Sequence, residues 1–184
     1  MNQRIMLTKK LLKTSLTDML QKQNIYQISI RELCQNAGIN RSTFYKYYGS
    51  QFDLLSEMEQ DLLTNIEDVL TTQQDYNKNA IEQILIYLEH DIEFVRLLIN
   101  SNVDPEFPKK LFSLSPIQRM LTDLMADLPN DLNEYLYRFL LFGAYEIVRT
   151  WINKDDRQSP EWLAALLFRL IEEKMKATGE YNVL

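Results

Sequence analysis

The sequence predicts an all-α protein, and three observations carry that prediction. Helix breakers are scarce, with four glycines and five prolines in 184 residues. Apolar residues recur at three- and four-residue spacing along most of the chain. Period-two alternation of β-branched residues, the mark of strands, is almost absent. Hydrophobic residues make up 46% and charged residues 25%, the balance of a soluble globular chain.

The first helix is expected from about Arg4 to Lys22, with Leu12, Leu16, Met19 and Leu20 on one face and Lys9, Lys10 and Lys13 on others. Ser29-Ile30-Arg31-Glu32 has the form of a capping box and starts a second, short helix with the apolar stripe Ile30, Leu33, Cys34 and Ala37. Gly38 supplies the left-handed residue of a tight exit, and Asn40 is placed to cap the next helix, Arg41 to Tyr48. Two short helices around a three-residue turn containing Gly form a helix-turn-helix arrangement. In the second of them Arg41, Ser42, Thr43, Tyr45, Lys46, Tyr47 and Tyr48 surround one clearly apolar position, Phe44. Such a helix has little to bury and many donors for phosphates and base edges.

Ser50-Gln51-Phe52-Asp53 opens a longer helix to about Gln73. Lys78–His90 and Asp91–Asn102 follow as helical segments. Pro105, Pro108 and Pro116 mark a broken region, after which a helix runs through Met125. Asn133–Asn153 is apolar over more than half its circumference, as expected of a helix buried on two sides. Gly143 in its middle costs about 1 kcal/mol relative to Ala, which a close helix crossing would offset. Ser159-Pro160 starts a last helix with the stripe Leu163, Leu166, Leu167, Leu170 and Ile171.

Composition closes most routes to an enzyme. One cysteine, Cys34, leaves no internal disulfide and no Cys-cluster zinc site. One histidine, His90, leaves no zincin motif and no credible Ser-His-Asp triad. No phosphate-binding glycine motif can be built. No metal and no cofactor is expected. No apolar run approaches the ~20 residues that span a bilayer, and the N-terminus lacks a signal-peptide core. A cytoplasmic protein without membrane contact is the expectation.

Charge is unevenly distributed. Residues 1–50 hold eight basic and two acidic side chains, a net +6, so the remaining 134 residues carry −12 of the total −6. Screening limits each charge to roughly 10 Å, so the local basic field is what a polyanion meets.

The run from Ser29 to Leu55, with its Ala-Gly-Ile turn and Ser-Thr-Phe-Tyr helix, resembles the DNA-binding signature of TetR/AcrR-family transcriptional regulators. The stretch from Tyr135 to Ile171 looks like the ligand-binding and dimerisation domain common in Firmicutes members. That resemblance implies an N-terminal three-helix helix-turn-helix DNA-binding domain, residues 1–50, and a C-terminal helical ligand-binding and dimerisation domain, residues 51–184. It implies a homodimer on a pseudo-palindromic double-stranded operator, acting as a repressor and released by a small-molecule effector. Control by a protein partner, or action as an activator, is the alternative.

By the same resemblance, Arg41, Ser42 and Lys46 reach into the major groove. Thr43, Tyr45 and Tyr47 grip phosphates or thymine methyls, and Ser29 and Ile30 meet a phosphate. Gln51 stands where the family often has a phosphate-binding lysine, and Lys9 and Lys10 are candidates to compensate for it. Phe44 and Leu33 are expected in the core. The candidate effector pocket is Tyr87, Phe94, Leu98, Phe107, Phe112, Met120, Leu124 and Phe142. The candidate dimer interface is Tyr135, Phe139, Gly143, Trp151, Trp162, Leu166 and Leu170.

Overall fold

In a computed structural model of the chain, α1 (Gln3–Leu20), α2 (Ile30–Ala37) and α3 (Arg41–Phe44) form an N-terminal triad. α4 (Gln51–Thr72) leads out of it into α5 (Lys78–His90), α6 (Ile92–Ile99), α7 (Phe107–Phe112), α8 (Ser115–Leu124), α9 (Asn130–Ile152) and α10 (Pro160–Thr178). The structure describes residues 3–72, 77–100, 103–125 and 130–178, with the side chains of 124, 130–132 and 172–178 excepted. No strand occurs among the described residues, so the protein is all-α as expected.

The caps form where their chemistry was legible. The Ser29 hydroxyl accepts from the Glu32 amide at 3.2 Å, and the Glu32 carboxylate accepts from the Ser29 amide at 3.3 Å. Gly38 adopts φ 66°, ψ 27°, the left-handed conformation that lets α2 end abruptly. Asp53 accepts from the Gly49 and Ser50 amides at 2.9 and 3.2 Å, anchoring the start of α4. The Ser159 hydroxyl accepts from the Trp162 amide. Asn40 is different: its side chain makes no cap hydrogen bond.

Two boundaries differ from expectation. The reading helix was expected to reach Tyr48. It closes instead after one turn at Phe44, and residues 45–47 continue as tight turns, with Lys46 and Tyr47 donating to carbonyls three residues back. The proline-rich stretch contains a further helix, α7. Pro108 and Pro116 sit in the first turns of α7 and α8, where a missing amide costs nothing. Those prolines mark helix starts as much as breaks.

One main core runs through the molecule. It begins with Leu12, Leu16, Leu33 and Phe44, passes along α4 through Leu54, Met58 and Leu62, and ends among Leu85, Leu98, Ile152 and Leu163. A smaller core joins α8 to α9 at Leu121, Met125, Leu140 and Leu141. α4 is the shared element, packing on α1 at one end and on α5, α7 and α8 at the other. α1 also touches α6, where Gln21 donates to Glu93 at 3.0 Å.

Candidate nucleic-acid interface

The turn between α2 and α3 sets out a short row of donors. Arg41, Ser42, Tyr45 and Lys46 are exposed, while Thr43 and Tyr47 are half-buried. Phe44 is fully buried beneath them, with Tyr45 edge-on at 5.6 Å and Tyr48 at 5.5 Å. The row is therefore held from below by one apolar anchor rather than by helix length. Leu33 is buried, as expected. Ile30 and Gln51 are half-buried, and the Gln51 amide lies 3.5 Å from the Ile25 carbonyl. Ser29 is exposed, but its hydroxyl donates to Glu32 at 2.7 Å and is already engaged.

The support beneath the row was not anticipated from the sequence. Glu57 of α4 accepts from Lys9 at 2.7 Å, Lys13 at 3.0 Å and the Tyr48 hydroxyl at 2.9 Å. Lys13 also pairs with Asp61, one turn further along α4. Burial opposes ionisation of Glu57, but the hydrogen bonds from Lys9, Lys13 and Tyr48 outweigh it and bring its pKa down to about 2. The signal was present: acids at 57 and 61 and bases at 9 and 13 share four-residue spacing, so two helices lying side by side match them.

Lys9 is thus held by a carboxylate and does not stand free to replace the missing phosphate contact at Gln51. Lys10, Lys22, Arg31, Arg41 and Lys46 form no ion pair among the described residues. The free positive charge is narrower than the sequence total of the first fifty residues indicates.

Behind this head, α4 to α10 enclose a partly open cavity of about 200 Å³. Phe107, Phe112 and Met120 line it, as expected of effector contacts. Phe94 and Leu98 do not; both are buried in the main core. Tyr87 is half-buried and accepts from Asn65 at 2.9 Å, and Phe142 is half-exposed with its ring edge-on to Phe112. The Leu124 side chain lies outside the described residues. The wall is completed by aliphatic residues such as Leu62, Ile66, Ile84 and Leu141. Their spacing is that of ordinary core, so nothing in the sequence set them apart.

An ion cluster around the buried Glu59 ties α4 to the cavity wall. Lys110 of α7 lies 2.6 Å from Glu59 of α4 and 2.6 Å from Asp104. Burial pushes Glu59 above the usual carboxylate range against the pull of Lys110. Phe107 and Leu111, on either side of Lys110 in α7, line the cavity.

The outer face of α9 and α10 is unusually apolar for a surface. Tyr135 is 74% exposed, Phe139 58% and Trp162 50%, with Leu170 exposed and Leu166 half-buried beside them. Around Gly143 nothing lies within 4 Å of where a Cβ would stand, so among the described residues no helix makes the close crossing expected there. α9 is accordingly buried on one side only within the chain. Trp151 departs from the expected interface. It is buried in its own chain, its indole N–H donates to the Gln158 carbonyl at 2.6 Å, and Arg157 covers its ring.

Residues 75–173, more than half of the chain, match the family described as the transcriptional regulator C-terminal region of TetR type. The chain belongs to the TetR family of transcriptional regulators. The chain is 23% identical over 174 residues to the uncharacterized HTH-type transcriptional regulator YxbF of Bacillus subtilis, covering 88% of this chain and 44% of YxbF. It is 28% identical over 105 residues to the dhaKLM operon transcriptional activator DhaS of Lactococcus lactis, covering 55% of this chain and 54% of that protein. The regulator thus spans about half the length of these curated relatives.

Among solved structures, a TetR transcriptional regulator from Streptococcus agalactiae superposes with a TM-score of 0.64 at 22% identity, covering 91% of this chain and 95% of that one. A dihydroxyacetone kinase operon activator DhaS gives 0.61 at 20%, covering 93% and 97%. These likenesses show the shared fold. The relatives are regulators, not enzymes. No helix among the described residues is long and apolar enough to cross a membrane.

Proposed function

We propose that this regulator binds a pseudo-palindromic operator as a homodimer, acts as a repressor, and is released by a small-molecule effector. The observation that carries the reading is the exposed row Arg41, Ser42, Tyr45 and Lys46, fixed on buried Phe44 and without ion pairs among the described residues. Guanidinium, ammonium and hydroxyl groups in such a row suit purine edges and phosphates. Residues 1–50 form the reading head on this account, and 51–184 the effector and dimer region.

The dimer is supported by the exposed aromatics of α9 and α10 and by the open space at Gly143. A large apolar patch on a protein surface marks a partner. A two-fold dimer would set the two reading rows roughly 34–36 Å apart, one turn of DNA. The effector would act through α4, which meets Tyr48 at Glu57, Lys110 at Glu59 and the cavity at Leu62 and Ile66. An effector shifts the dimer only by its differential affinity for the two states. A second reading, activation, is favoured by the similarity to an activator, DhaS; the DNA-bound dimer would be the same.

The test titrates the full chain against labelled DNA from upstream of its own gene at two salt concentrations. Arg41→Ala and an unrelated fragment serve as controls. Specific binding, weakened by salt and weakened in the variant by roughly 1–3 kcal/mol, is expected. Equal affinity for both fragments, unchanged in Arg41→Ala, would overturn the assignment of this row. A reporter on the same fragment then separates repression from activation.

A further inference from the structure

The cavity walls define the chemistry of what can fill them, and this inference rests on the proposal that an effector binds there. Every lining side chain is hydrocarbon or thioether except Tyr145. The Tyr145 hydroxyl donates to the Ile99 carbonyl at 2.6 Å, so its one proton is already engaged. Two ionic groups on the neighbouring turns, Glu59 on α4 and Lys110 on α7, pair with each other. No charged side chain among the described residues lines the space.

A carboxylate or phosphate entering it would lose its hydration with no counter-charge and no free donor, and an ammonium would find no counter-charge and only the Tyr145 oxygen as acceptor. An apolar molecule loses nothing of that kind and gains from leaving water. Size narrows the class. An engineered apolar cavity of about 150 Å³ takes benzene, and this one is about 200 Å³. We propose that the effector is a compact, uncharged, hydrocarbon-like molecule of about seven to ten non-hydrogen atoms, scaled from that benzene-binding cavity.

Matched probes test this on the full chain: toluene and propylbenzene against benzoate, 3-phenylpropionate and phenethylammonium. The neutral pair is expected to raise the melting temperature by several degrees at saturation, and the charged set to leave it unchanged. Contacts in isotope-edited NMR from propylbenzene to the methyl groups of Ile84, Leu141 and Val148 would locate the site without any substitution. Ala144→Phe, which projects a ring into the space, is expected to abolish the shift; its own melting curve without probe reports whether it folds. A charged probe that stabilises as much as its neutral counterpart would overturn the proposal, as would failure of both neutral probes. The same probes added to the operator complex keep the two readings apart. Neutral probes that bind the cavity and leave DNA bound would uphold the ligand class and sink release by an effector. DNA release by a charged probe alone would do the reverse.

Discussion

The reading head and the bundle behind it use apolar side chains differently. In the head, Leu12, Leu16, Leu33 and Phe44 are fully buried, and even the polar Ser15 is enclosed and donates to the Leu33 carbonyl. In the bundle, half-buried residues such as Ile84, Ala144 and Val148 stand around an unfilled space. The head presents its donors from a closely packed support, which suits the base recognition proposed for it. A region that takes up a ligand needs vacant volume, and close packing would deny it. The two are linked by α4, whose acidic groups face the head at Glu57 and the cavity wall at Glu59.

The largest effect expected from this difference comes from truncating each region's apolar contacts. Phe44→Ala should cost about 3–5 kcal/mol, because a fully buried ring leaves a hole that the short α3 cannot close. Ile84→Ala, at a half-buried position already beside empty space, should cost about 1–2 kcal/mol. Urea unfolding of the two variants measures both; equal losses would break the contrast.

Gly143→Leu tests the dimer face. Inside one chain a Cβ at 143 meets nothing within 4 Å among the described residues, and leucine favours the helix over glycine by up to about 1 kcal/mol. Against a second copy it collides. Sedimentation should show self-association weakened roughly tenfold, about 1.4 kcal/mol, with helicity intact. Unchanged self-association would move the dimer contact away from Gly143.

An effect of similar size concerns the Glu57 junction. Its folded pKa is depressed to about 2 from 4.5. Its stabilisation is therefore complete above the unfolded value and is lost as pH falls from about 4.5 towards 2. Glu57 is partly open to water, so the contribution is about 1–2 kcal/mol rather than the full shift. Glu57→Gln should melt lower than the parent at pH 7 and lose less stability on acidification. Parallel pH profiles for the two proteins would remove Glu57 as the group responsible.

Most helices and the reading row were legible because their signals are local. A capping box spans four residues, Gly38 stands at the turn it makes, and Phe44 is the one clearly apolar group in its stretch. The cavity was less legible. Phe107, Phe112 and Met120 were named, but Phe94 and Leu98 have the same character and face the main core instead. Trp151 shows the same limit on the dimer face: its stripe predicts an apolar contact, and the partner turned out to lie in its own chain.

The sequence by itself determined the all-α class, the caps other than Asn40, the helix-turn-helix and the identity of the donors it displays. These follow from periodicity and hydrogen-bonding chemistry within a few residues of one another. Only the tertiary structure decided that Lys9 and Lys13 belong to Glu57 and Asp61, that Lys110 reaches Glu59, and which aliphatic faces stop short of filling the bundle. Those outcomes depend on how helices far apart in the chain cross. A stripe of leucines and isoleucines records that it will be buried, and leaves open what lies against it.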